Sequence, residues 1–208
     1  MEVDPSNLRV KPWPGNKSAV GDLLGLLSAG ENSAEAAFGR IARRLPPAAT
    51  QLVSQTLNAI RIDERRHGQL LVNAASIAGI NPQRPLNIAR RFFAVLESRD
   101  LGVHIARIAA LDACVCQVLA RVLGVTPSVR LPPSIVLVLE SIRRDEGRHV
   151  RAARRLVEEF SIDASANRSI ELETRYAFDA VLGGYDMAFA ALNVDVNAMR
   201  CQIRRDNS

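Results

Sequence analysis

Two short stretches limit what this chain can fold into: Asp63-Glu64-Arg65-Arg66-His67 and Asp145-Glu146-Gly147-Arg148-His149, each reading Asp-Glu-x-Arg-His. A Glu and a His three residues apart lie on one face of a helix, one turn from each other. Each motif sits in the middle of an apolar stripe with helical spacing. The first stripe runs from Val53, Leu57 and Ile60 through Glu64 and His67 to Leu71 and Ala74. The second runs from Ile135, Leu139 and Ile142 through Glu146 and His149 to Ala153 and Leu156. A lone carboxylate in such a stripe is costly unless it is paired or binds a cation.

Two further stripes each carry one acid. Glu31 follows Leu24 and Leu27 and precedes Ala34, Phe38 and Ile41; Asp112 lies between Ile105, Ile108 and Val115, Leu119. Glu31 precedes Glu64 by 33 residues and Asp112 precedes Glu146 by 34, so the two halves repeat one plan. Two Glu-x-x-His helices and two single-acid helices are the donor pattern of a carboxylate-bridged di-metal site in a four-helix bundle.

Punctuation places the elements. The first helix is predicted from Ser18 or Val20 to Leu45, stopped by Pro46-Pro47. The second runs from about Ala48 to Ala78 or Gly79, the third from about Asp100 to Leu123, and the fourth from about Pro133 to Phe160. Residues 80–100 are too long for a hairpin and read as a crossover with a helical stretch from Leu86 to Glu97. A fifth helix is predicted over 169–191. Residues 1–17, with Pro5, Pro12, Pro14 and Trp13, read as an extended arm, and 193–208 as a polar tail. The domain is then 18–192.

Hydrophobic residues make up 48% of the 208-residue chain and aromatics only 4%, which favours packed helices over disorder. Three Cys with no framework spacing fit a reduced, cytoplasmic setting. Every long apolar stretch is interrupted by charge, so no membrane span is expected. The net charge of +5 comes mostly from Arg. Arg144, Arg148, Arg151 and Arg155 are spaced as one solvated face, which permits an anionic partner without requiring one.

On these motifs, over roughly residues 20–160, the chain resembles the ferritin-like di-iron carboxylate superfamily. The two Asp-Glu-x-Arg-His motifs are similar to those of soluble di-iron oxygenases and acyl-carrier-protein desaturases. Glu31 to Phe38 resembles the family's Glu-x-x-Ala-x-x-x-Tyr pattern, with Phe38 in the aromatic place. Asp112 to Leu119 fits less closely, with Asp for Glu and Leu for Tyr. The resemblance implies an all-α fold: a ferritin-like four-helix bundle, a long crossover between the second and third helices, and a fifth C-terminal helix. It implies Glu31, Glu64, His67, Asp112, Glu146 and His149 as metal ligands, with Glu35, one turn on, as the substitute for Glu31. It also implies that Asp63 supports His149 and Asp145 supports His67.

The implied cofactor is two iron ions, with manganese as the alternative, and O2 as co-substrate. An external reductase would supply electrons. A small-molecule or carrier-bound substrate would lie against apolar side chains of the first, third and fifth helices, in a monomer or dimer. Family members of similar size include aldehyde-deformylating oxygenases and a tRNA-modifying hydroxylase, so tRNA is a less favoured partner. Iron storage or peroxide scavenging is the competing reading; with no Cys-x-x-Cys pair, the chain carries no rubredoxin-type centre. A non-catalytic RNA- or protein-binding bundle leaves the buried acids unexplained. His104, two turns before Asp112, reads as a core histidine with pocket lining as the alternative; Cys116, one turn after Asp112, reads as a buried thiol with facing the cavity as the alternative, and Cys114 and Cys116 diverge on the helix and form no chelate.

Overall fold

A computed structural model describes residues 16–46, 51–124, 131–160 and 162–205. The expected arm, including Trp13, lies outside them except for residues 16 and 17. The described chain is all-helical: α1 (Lys17–Arg44), α2 (Gln51–Ala78), α3 (Asn87–Val95), α4 (Leu101–Leu123), α5 (Pro133–Glu159), α6 (Ala164–Gly183), α7 (Asp186–Ala191) and α8 (Val196–Arg204).

Local chemistry sets the ends. Asn16 caps α1 by accepting a hydrogen bond from Ala19 N–H, and Asp100 caps α4 by accepting from Val103 N–H. Gly79, at φ +62°, turns the chain out of α2 in a conformation that costs glycine nothing. Pro133 occupies the first turn of α5, where its missing N–H goes unused.

The interior has two apolar clusters. One gathers Leu24 and Leu27 of α1, Leu71 of α2, Leu119 of α4, and Ile135 and Leu139 of α5. The other gathers Phe38 and Ile41 of α1, Leu57 of α2, Ile105 of α4 and Leu156 of α5. The same end of the interior thus takes the beginnings of α1 and α5 and the ends of α2 and α4. Hence α1 and α5 run one way, α2 and α4 the other. Since α2 and α4 are parallel, the chain must return along the bundle between them.

Residues 79–100 make that return along α1. Gln83 N–H donates to Gly21 O at 2.8 Å near one end; Arg44 donates to Ser98 O at 2.8 Å and also to Arg99 O at the other. Glycine at 21 and 25 makes the approach possible. A Cβ on Gly25 would lie 1.9 Å from Gln83 O, and one on Gly21 2.7 Å from Asn81 O. Gly25→Ala therefore has to displace main chain. A cost of about 1–3 kcal/mol is expected, read as a melting temperature lower by roughly 2–12 °C. Gly30→Ala is the control: its Cβ would meet the Phe93 ring at ordinary contact distance, 3.6 Å from Cζ and 3.9 Å from Cε1.

The C-terminal part differs from expectation in two ways. The single fifth helix is two, because consecutive Gly183 and Gly184 are poor helix formers, and α6 begins early, at the Asp163 cap. Residues 193–208 are not simply a polar tail. Asp195 caps α8, and Met199 and Ile203, four apart, are fully buried against α4 and α6. α4 also corrects an expectation: its length and mean hydropathy of 1.6 suffice to cross a membrane. Much of that stretch is buried inside the protein, with His104 and Asp112 among its buried residues.

Candidate metal centre

Between the two apolar clusters lies one polar level. α1 contributes Glu31, α2 Glu64 and His67, α4 Asp112, and α5 Glu146 and His149. All six are at most 5% exposed. Their ligand atoms fall into two sets that could each hold a metal ion: Glu31, Glu64, His67 and Glu146; and Asp112, Glu146 and His149. His67 Nδ1 is 3.1 Å from Glu31 Oε2, and His149 Nδ1 is 2.9 Å from Glu64 Oε1. Glu146 Oε1 lies 3.5 Å from His67 Nδ1 and 3.6 Å from His149 Nδ1, so it faces both imidazoles.

The remaining motif residues form a second tier, crossed between α2 and α5. His67 Nε2 is 3.1 Å from Asp145 Oδ2, and His149 Nε2 is 3.3 Å from Asp63 Oδ2. A carboxylate accepts, so each Nε2 carries the proton and each Nδ1 turns inward. The motif arginines clamp both acids. Arg66 reaches Asp63 at 3.0 Å and Asp145 at 2.6 Å; Arg148 reaches Asp145 at 2.8 Å and Asp63 at 3.5 Å. Burial pushes Asp145 up, but the His67 hydrogen bond and the Arg148 and Arg66 charges hold it below the usual carboxylate range.

Burial raises Glu31 and raises Glu64 and Asp112 well above the ordinary range, outweighing the pull of the neighbouring imidazoles. Burial acts on His67 and His149 the other way, yet the Glu146 bond, with Glu31 or Glu64, pushes them up to about 10 and about 11. Glu146, between two imidazoles, stays below the ordinary range despite burial. Protons therefore supply the positive charge in the protein alone. They do so incompletely: Glu64 Oε1, Asp112 Oδ2 and His149 Nδ1 are buried with no hydrogen-bond partner among the described residues. Glu64 Oε1 and His149 Nδ1 are 2.9 Å apart without hydrogen-bond geometry. Oxygen-rich donors with one imidazole per set fit Fe or Mn better than Zn.

A partly open cavity of about 40 Å³ borders this level. Its apolar wall comes from Leu26 and Leu27 of α1, Phe93 of α3, Leu111 and Val115 of α4, and Phe178 of α6. The α3 contribution was not visible in the sequence, since Phe93 lies in the crossover.

Glu35 is outside the cluster, bound to Arg65 Nε at 2.7 Å; Glu31 holds the inward place. Cys114 is buried and Cys116 half-buried, and burial pushes both thiols up to about 12. His104 is fully buried and lines a second, smaller cavity beside Asp112. Arg144, Arg148, Arg151 and Arg155 are exposed, but Arg148 belongs to the clamp. Sequence reasoning missed Arg66 and Arg148 as site residues. Their signal was the motif itself, which sets each Arg three residues after its Asp.

None of the family models, curated proteins or solved structures compared with the chain matches it.

Proposed function

We propose that this chain is a ferritin-like di-iron carboxylate oxidoreductase of the hydroxylase type, using O2 to oxidise an organic substrate. The observation that carries the reading is the six-residue polar level with an apolar cavity against it. Glu31, Glu64 and His67 would hold one iron, Asp112 and His149 the other, and Glu146 would serve both. Two bound irons supply electrons and coordination positions for reducing O2. Asp63 and Asp145 would fix the imidazoles with Nδ1 toward the metals, and the Arg148 and Arg66 charges help hold Asp145 ionised. Leu26, Leu111, Val115 and Phe178 exclude water and favour an apolar part of the substrate. Electrons for further turnovers would come from a reductase, in a cytoplasmic setting.

The shorter Asp112 reaches less far than a Glu, and its Oδ2 lacks any partner among the described residues. The iron on that side is expected to be held more weakly. The test is an anaerobic Fe(II) titration followed by oxygen. Two irons per chain, the second weaker, with O2 taken up in a small oligomer, would support the reading. Many irons per chain in a very large assembly would point to storage instead, and no bound iron or manganese would sink it.

A further inference from the structure

The second cavity, about 20 Å³, has apolar walls that include Leu96, Ile108 and Leu111, with Arg40, Glu97, His104 and Asp112 as its charged or titratable lining. It shares Phe93 and Asp112 with the apolar cavity. Arg40 Nε and Glu97 Oε1 lie 3.0 Å apart, and both side chains are more than a third exposed. His104 is at the other extreme, with no exposed surface. Neither of its ring nitrogens has a hydrogen-bond partner among the described residues.

That is an unusual state for a buried imidazole, since buried polar groups are nearly always satisfied. Burial lowers His104 to about 4, so the ring is neutral at pH 7. A neutral ring has one donor and one acceptor nitrogen. Water answers both; an anion answers only the donor. The volume agrees, because one water needs about 10–15 Å³ of such space. It is too small for an organic head group.

We infer that this cavity is a water-bearing proton route, running from the Arg40–Glu97 pair at the surface through His104 to Asp112. It adjoins the apolar pocket and rests on the di-iron reading, since it is O2 reduction that consumes protons. One proton enters from solvent at the Glu97 end and one leaves toward Asp112. The ring holds the water in place and stays neutral, and the proton passes along that water with no net change in charge. His104 is thus a positioning residue for water and touches no reacting atom.

Two measurements test this. In the metal-free protein, with only three histidines to assign, the His104 ring N–H should show a nuclear Overhauser contact to long-lived water. In the iron-loaded protein, His104→Leu should slow O2-driven iron oxidation about tenfold or more. It should also enlarge the solvent deuterium isotope effect and leave iron stoichiometry unchanged. His104→Gln, which both donates and accepts, should recover most of the rate. A dry His104, or a His104→Leu protein that oxidises its full iron complement at the wild-type rate, overturns the route. A wild-type chain that binds no iron fails the di-iron reading, and the route falls with it even if water is found on His104.

Discussion

Glu146→Ala is expected to cost the chain both metals, whereas His67→Ala and His149→Ala should each cost chiefly one. Glu146 alone has an oxygen within 3.6 Å of both Nδ1 atoms, and it belongs to both donor sets. It is also held charged between the two imidazoles, against the effect of burial. Loss of a residue that merely orients a ligand weakens metal binding about 10–100-fold. Loss of a shared ligand should exceed that range at both positions. Calorimetric titration with Fe(II) or Mn(II) would read the stoichiometry and the affinity. A Glu146→Ala protein that still binds two ions tightly would show that the carboxylate is not shared.

The second large effect is an opposite response to pH with and without metal. In the metal-free chain, His67 and His149 are pushed up to about 10 and about 11, from 6.5. They bind protons more tightly folded than unfolded. The stability they contribute is full below about pH 6.5 and is lost as pH rises toward those folded values. Glu31, Glu64 and Asp112, also raised, act with the same sign from a lower pH. Asp145 and Glu146, lowered, contribute stability above their ordinary range that is lost only in acid. The metal-free melting temperature should therefore fall between about pH 6.5 and 10.

Bound metal reverses the trend, because it displaces the protons and is held more tightly as pH rises. At 100 times its dissociation constant, one ion adds about 2.7 kcal/mol. For a chain of this size that is a rise of roughly 5–11 °C. Thermal melts across pH, with chelator or with Mn(II), should diverge as the pH goes up. Parallel curves would contradict the exchange of protons for metal at this level.

The parts of the molecule legible in the sequence were those with a repeating physical signal. The four long helices came from apolar periodicity interrupted by Pro and Gly. The six inward residues came from charge standing in apolar stripes, because only a shared partner makes that tolerable. The choice between Glu31 and Glu35 rested on resemblance, and the structure places Glu31 inward and Glu35 against Arg65.

What stayed illegible depended on encounters between distant segments. Gly21 and Gly25 are where the returning chain passes close to α1, an approach that no spacing within α1 reveals. Arg148 read as part of a solvated stripe, since its spacing is that of an exposed helix face. Only the crossing of α2 and α5 reveals that it bridges two acids. α8 was hidden because polar residues surround Met199 and Ile203, whose burial depends on α4 and α6 being in place. The unpartnered nitrogens of His104 can be seen only once the cavity around it exists.

The most direct test is anomalous diffraction from crystals saturated with Fe(II) or Mn(II). Two peaks per chain are expected: one bordered by Glu31, Glu64 and His67, the other by Asp112 and His149, with Glu146 between them. Saturated crystals showing no peak at this level, or metal only elsewhere on the chain, would contradict the account.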